Sequence, residues 1–478
     1  MGKSRRRNQQ SERGRMRFYR KKPLLCWRSG CKWKLFEKSF GVPLLSKKGA
    51  VFLFLFFFSC SPSFQEQSES IDDTGRNSSL VITSPQNDYT AENQTVTVKG
   101  YAYDEGGIDS VEIKVNSGVY EKADGKTVWE KTVSLTPGEN RIMVRMINTK
   151  MGVIKTDPIY IYALWTRKAE LPIPFSHSNA VYLGGQFLIF GGKIYDASLI
   201  GASKDFIKYD ASLNTASKIG VIPKNSYSAN TVVYQNLIYS LGAIYYNYQV
   251  SSPTLLIYQP DSTVTYSLST PSPYDRGGAA TALIGNKAYL IGGLEWNRNP
   301  LSPVLTPVST ILEHDLDTHT WAVKSPLNLD KIPSFAYASA VSYQNQIFIF
   351  GGVDSNGVYQ KNIYLYRPID NTIEVLENRL AYKRAGFQAV LIGNKAYLIG
   401  GKGYSLEDET KSVVLDAVEV FQLDEMRGFE IHKMPKKLAY SAVSTDGEKI
   451  YLFGGQNENS IPLNSIYEYT PLLDPMNQ

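Results

Sequence analysis

Three cysteines and four histidines bound the chemistry open to this 478-residue chain. The cysteines are Cys26, Cys31 and Cys60, so nothing after residue 60 can form a disulfide or a thiolate metal site. Cys26 and Cys31 stand C-x4-C with no second pair and no partner histidines, and read as incidental rather than zinc-binding. The histidines are His177, His314, His319 and His432. His314 and His319 lie near Asp315 and Asp317 where a turn is expected, and read as turn residues. The chain holds no nucleophile elbow, phosphate loop or zinc helix. No catalytic residue, metal or cofactor is therefore expected, and binding is favoured over catalysis.

Charge separates the chain into two parts. The formal net charge is +6, from 51 basic and 45 acidic residues. Residues 1–48 hold 16 of the basic residues and only two acids, Glu12 and Glu37, which leaves 35 basic and 43 acidic residues and a charge of −8 for the remainder. The part expected to fold is acidic, which argues against a nucleic-acid partner.

An apolar run from Ala50 to Phe58 follows Lys47-Lys48 and ends at Ser59-Cys60-Ser61. Basic, apolar and small segments in that order describe a secretory signal. Nine apolar residues are too few to span a bilayer as a helix, which takes about 20. Phe57-Phe58-Ser59-Cys60 resembles a bacterial lipobox of the looser, spirochaete-like kind, with Phe57 where Leu is usual. The resemblance implies cleavage before Cys60, lipidation of Cys60 and a membrane anchor; an ordinary cleaved signal is the competing reading. Residues 1–46 are long for the basic part of a signal: either translation starts downstream of Met1, or the basic segment is cytoplasmic. Ser61 to about Ser79 is polar and is expected to be a disordered tether.

Residues 80–162 read as a β-sandwich. Leu80–Pro85, Thr95–Tyr103, Val111–Val115, Trp129–Leu135, Asn140–Met146 and Ile159–Ala163 are short strands separated by turn signals such as Thr136-Pro-Gly138. Val96, Val98 and Tyr101 are candidates for the buried face. Gly100 to Asn116 and the Pro137-Gly-Glu-Asn-Arg141 turn resemble bacterial Ig-like spacer domains. Asp104 and Glu105 lack a calcium-loop pattern and read as loop solvation.

From about residue 159 an apolar strand ending in a small doublet recurs six times: Leu188-Ile-Phe-Gly-Gly192, Tyr239-Ser-Leu-Gly-Ala243, Tyr289-Leu-Ile-Gly-Gly293, Phe348-Ile-Phe-Gly-Gly352, Tyr397-Leu-Ile-Gly-Gly401 and Tyr451-Leu-Phe-Gly-Gly455. The first glycines step by 51, 50, 59, 49 and 54 residues, a propeller period. With Asp317-Thr-His-Thr-Trp321, the repeats resemble kelch blades. Tyr162-Ala-Leu-Trp165 is expected to add the fourth strand missing after Asn464–Thr470 and so close the ring.

Many kelch proteins carry a ligand-facing Arg just before the first strand of a blade. Some sixteen residues before the first glycines stand Phe175, Ser226, Arg276, Phe335, Arg384 and Lys437. The resemblance makes Arg276, Arg384 and Lys437 candidate ligand-binding residues, with Tyr274, Tyr382 and Tyr440 beside them. Cations among aromatics suit an acidic peptide or an anionic sugar. The competing reading is solvated rim residues. A galactose-oxidase-type copper site would need a cross-linked cysteine that is absent after residue 60. Sialic-acid mutarotases are secreted six-bladed kelch enzymes and supply the alternative function.

The expected protein is thus all-β. It has a basic leader and lipoprotein signal over 1–59, a tether over 60–79, an Ig-like β-sandwich over 80–162 and a six-bladed kelch β-propeller over 163–478. It is expected to be a monomer held by lipid in a bacterial cell envelope, at the outer membrane or cell surface and facing either the periplasm or the outside, binding a protein or glycan.

Overall fold

The computed structural model describes residues 68–71, 77–196, 199–245, 254–259, 265–269, 275–297, 304–405, 408 and 410–477. The leader, Cys60 and Tyr274 lie outside the described residues. Among the described residues, regular structure consists of strands and three short 3-10 turns, with no α-helix.

The first domain is a sandwich of two sheets. Its main strands are β1 (Ser68–Ile71), β2 (Asn77–Ser84), β3 (Thr95–Asp104), β4 (Ile108–Val115), β5 (Val128–Ser134), β6 (Gly138–Asn148) and β7 (Ile159–Ala163). One sheet runs β1-β2-β3-β5 and ends in Asp124–Gly125; the other holds β7, β6 and β4 between the short strands Tyr89–Thr90 and Glu121–Lys122. Leu80, Val98, Ala102 and Trp129 of the first sheet pack on Val111, Ile113, Val144 and Ile161 of the second.

Three details differ from expectation. Tyr101 points outward, because Val98, Ala102 and Asp104 face the core and leave the intervening odd positions in solvent. Four residues of the polar stretch, Ser68–Ile71, are paired antiparallel to β2; backbone bonds along a sheet edge need no apolar side chains. Asp104 is buried, where it accepts hydrogen bonds from Ser78 Oγ, Asn148 Nδ2 and the Gly106 N–H, so it fastens two strands and a turn.

After β8 (Trp165–Arg167), the described residues contain six four-stranded sheets. Their first strands are Asn179–Leu183, Thr231–Tyr234, Ala280–Ile284, Ser339–Tyr343, Gln388–Ile392 and Ala442–Thr445. These strands adjoin one another in chain order, and the sixth adjoins the first. The sixth sheet takes its fourth strand from β8, with Trp165 opposite Tyr469 and Arg167 opposite Tyr467. This is the closure expected from the sequence, except that the closing strand is Trp165–Arg167 while Tyr162 and Ala163 stay in the sandwich strand. Trp165 is fully buried and stacks on Tyr469 at 4.7 Å.

The glycine doublets join each sheet to the next. Gly292 and Gly293 have φ of +64° and +95°, where other residues are strained. A Cβ on Gly292 would lie 2.6 Å from the Phe335 carbonyl oxygen, and that same oxygen accepts the Gly293 N–H at 2.7 Å. Equivalent bonds run from Gly192 to Ser226, Gly352 to Arg384, Gly401 to Leu438 and Gly455 to Phe175.

The sandwich meets the last sheets through the chain at β7 and β8. The Tyr162 ring lies 3.6 Å from that of His432, whose Nδ1 is 2.8 Å from buried Asp474. Lys436 pairs with Glu92 of the sandwich at 2.6 Å.

Candidate functional site

Each first strand is preceded by a residue with the left-handed backbone conformation: His177, Ser228, Gly278, Tyr337, Gly386 and Tyr440, with φ between 51° and 63°. Each stands fourteen residues before the first glycine of its own doublet. Their backbones close on one another. Ser228 N–H donates to His177 O, Gly278 to Ser228, Tyr337 to Gly278, Gly386 to Tyr337, Tyr440 to Gly386 and His177 to Tyr440, at 2.7 to 2.9 Å. The cycle fixes six Cα atoms around the axis and so aims six side-chain positions at one place.

Those positions carry three rings, one hydroxyl and two glycines. The His177 and Tyr440 rings stack at 3.8 Å with an interplanar angle of 12°. Tyr337 stands edge-on to both, at 5.5 Å from Tyr440 and 6.1 Å from His177. The glycines make room for the rings: a Cβ on Gly386 would run into Tyr440, and one on Gly278 would lie 3.0 Å from Tyr337. Together they wall a hollow of about 60 Å³. Behind it, between the first strands, is a cavity of about 190 Å³ lined by small residues that include Ser178, Thr231, Thr281 and Ser339. The Ser178 and Thr231 hydroxyls are buried and have no hydrogen-bond partner among the described residues.

Lys193 stands beside this mouth. Its ammonium lies 4.5 Å from the centre of the Tyr227 ring, and Tyr227 is edge-on to His177 at 6.0 Å. Among the described residues no carboxylate pairs with Lys193. Burial lowers its pKa, since the charged form loses water. Burial, and then the Lys193 charge, hold the pKa of His177 well below the usual value, so its imidazole is neutral at pH 7. Burial raises the pKa of Tyr337 and Tyr440, keeping both phenols protonated. Among the described residues the mouth therefore offers one cation that meets a ring face but no carboxylate, with several further ring faces, a combination chemically suited to an anionic group attached to an apolar body.

Of the residues singled out from the sequence, the structure places Tyr440 in this mouth and the other described ones elsewhere. Arg384 is fully buried; its guanidinium donates to the Leu398, Gly400 and Ala417 carbonyls and pairs with buried Glu419. Arg276 is buried too, and donates to the Thr310 carbonyl and to Glu295. Both guanidiniums are thus engaged with backbone carbonyls and a glutamate carboxylate of this chain. Tyr382 is buried and donates to Glu430 at 3.2 Å. Lys437 is exposed and pairs with Glu458 at 2.9 Å, and the register puts Leu438 at the position equivalent to Arg384. Tyr274 lies outside the described residues.

The histidines also differ from expectation. His319 is a left-handed turn residue, but His314 belongs to strand Ile311–Asp315 and is fully buried 4.2 Å from the Trp321 ring. Among the described residues no group of three or more His, Cys, Asp or Glu side chains is placed to hold a metal ion. The scan for cations missed His177, Ser228, Tyr337 and Lys193. Aligning the six repeats two residues nearer the doublets would have found the first three.

Comparison with known proteins agrees with this architecture. Residues 79–144 match the bacterial Ig domain and residues 187–466 match the Attractin/LZTR1 β-propeller. Alpha-scruin of Limulus polyphemus is 22% identical over 233 residues, 47% of this chain and 24% of the relative. Kelch-like protein terF of Aspergillus terreus is 22% identical over 289 residues, 59% of this chain and 61% of the relative. Kelch-like protein 25 of Xenopus tropicalis is 25% identical over 241 residues, 49% of this chain and 38% of the relative. The chain thus spans about a quarter of the scruin and under two thirds of each of the others. The propeller match covers more than half of the sequence, and the chain belongs to the Attractin/LZTR1 β-propeller family.

Proposed function

We propose that this is a binding protein of the bacterial cell envelope, anchored by lipid on Cys60, with the Ig-like sandwich as stalk and a six-bladed kelch propeller as receptor for a partner protein. The observation that carries the binding reading is the Lys193 ammonium, half-buried and without a carboxylate among the described residues, at the edge of a hollow walled by His177, Tyr337 and Tyr440. Leaving a cation desolvated costs stability unless a ligand compensates it. An acidic group of the partner would do so while its apolar neighbours lie on the rings. Propeller loops are a usual place for recognition, and kelch-like relatives share the propeller. The basic, apolar and small segments before Cys60 support the anchor, and the net −8 after residue 48 speaks against nucleic acid.

The test is a screen of the purified protein on arrays of acidic peptides and anionic glycans, followed by titration of the strongest hit. Lys193→Ala and Tyr440→Ala should each weaken binding about tenfold, the loss expected from roughly 1.4 kcal/mol, with the unfolding midpoint nearly unchanged. Arg384→Ala should do the reverse, lowering the midpoint while the folded fraction binds normally. Unchanged titrations with both mouth variants would move the site elsewhere. Cys60→Ala should release the protein from membranes.

A further inference from the structure

The outward face of the sandwich carries a row of apolar side chains that no core uses. Val81 of β2, Tyr101 of β3 and Val128 of β5 stand directly opposite one another across three strands. Tyr101 is 57% exposed and Val128 64% exposed, and Tyr103, two residues on along the same face, is 54% exposed. The rest of that face is polar. Lys99 pairs with Glu130 at 2.6 Å, and beyond them Thr97 bonds Thr132 at 2.9 Å. The apolar half lies away from the propeller. Glu92, just before β3, pairs with Lys436, and Tyr101 is six residues, about 20 Å, along β3 from Thr95.

The chain enters this same sheet. Ser68, the first residue of β1, pairs with Leu80, and Leu80 pairs with Ala102, one step from the apolar row. Only residues 61–67 separate Ser68 from Cys60, a reach of at most about 25–30 Å when fully extended. Two strand spacings, about 10 Å, separate β1 from β3. A lipid on Cys60 therefore keeps the tyrosine face within a short distance of the bilayer. Tyrosine is suited to that boundary, with its ring among acyl chains and its hydroxyl among headgroups.

We propose that the Val81–Tyr101–Tyr103–Val128 face of the sandwich rests on the surface of the bilayer that holds Cys60. The proposal rests on the lipid-anchor reading above. It makes the sandwich a footplate that holds the propeller mouth at a fixed attitude to the membrane.

The chain from Cys60 onward has a single thiol, and residues 67–478 form one compact unit, so that piece can be coupled through Cys60 to a maleimide lipid in phosphatidylcholine vesicles. In vesicles carrying brominated acyl chains, an indole introduced by Tyr101→Trp should lose most of its added fluorescence, and so should one introduced by Tyr103→Trp. An indole introduced by Leu213→Trp, at an exposed propeller position, should keep its emission. The two sandwich variants serve as duplicates should one fold poorly, as judged by circular dichroism. Absence of quenching at both, or equal quenching at position 213, overturns the proposal. Cell fractionation of Cys60→Ala separates the two readings. If the variant is released but position 101 is not quenched, only the footplate falls. If the variant stays with membranes, the anchor reading falls and the footplate with it.

Discussion

At the scale of single residues, buried polar groups divide into those that are satisfied and those that are not. Arg384 comes close to the first kind: its two terminal nitrogens meet three carbonyls and a carboxylate, while Nε alone has no partner among the described residues, so it is cement. His314 shows the second. It is fully buried against Trp321, and neither ring nitrogen has a hydrogen-bond partner among the described residues. Burial, more than the nearby His319, lowers its pKa from 6.5 to about 4. The unfolded chain therefore takes up a proton on this residue first as pH falls. The stability that neutral His314 contributes is complete well above pH 6.5 and is lost progressively between 6.5 and about 4. Moving from pH 7.5 to 4.5 should cost roughly 2–3 kcal/mol through this group alone. Urea unfolding of wild type and His314→Leu at both pH values measures it: the variant should be less acid-sensitive by that amount. Equal sensitivity would mean that protonation is accommodated. His177 shifts in the same direction, so some acid sensitivity should remain in the variant.

At the scale of elements, glycine does two separable jobs in the third sheet. Gly285, in the turn between its first two strands, has φ +58° and open space where a Cβ would go. Gly292 combines φ +64° with the carbonyl of Phe335 at 2.6 Å from that position. Gly285→Ala should cost about 1–2 kcal/mol, the price of the backbone conformation. Gly292→Ala should cost roughly 2–4 kcal/mol, because the neighbouring sheet must also give way. Thermal unfolding of the two variants side by side tests the ordering, and equal losses would sink the account of the doublet as a joint. This is also why the doublets were legible in the sequence: the backbone allows little besides glycine there, so residue type reports position. The mouth was not legible in that way. Its six positions share a backbone conformation but hold His, Ser, Gly, Tyr, Gly and Tyr, so a search by side-chain type finds no common signal. The sandwich strands were readable from alternation, yet Tyr101 fell on the wrong face, since the inward residues beside it, Gly100 and Ala102, are small and give only a weak apolar cue.

At the scale of the whole molecule, one buried indole holds the ends of the propeller together. Trp165 comes before the first of the six sheets and packs in the last, on Tyr469 and beside Tyr467 and Leu452. Trp165→Ala should therefore lower stability by roughly 3–5 kcal/mol. The loss should be felt by every sheet rather than the sixth alone. Fluorescence and far-ultraviolet circular dichroism should still report one shared transition, shifted to lower urea. A separate early transition confined to part of the signal would show that the sheets are not joined through this strand. The closure was foreseen because the sixth repeat lacks a fourth strand and a Trp-bearing strand stands unclaimed before the first.

The cycle of six backbone hydrogen bonds at the mouth has a consequence in time. Five of its links can form as each sheet follows the previous one, but the bond from His177 to Tyr440 joins the earliest member to the latest. The same holds for β8 and the strand Ile466–Tyr469. A chain delivered amino-terminus first must keep its opening strand unpaired until its final strand arrives. Neither the closed cycle nor the mouth it frames exists before then. On the binding role proposed above, recognition would begin only once the last strand is in place.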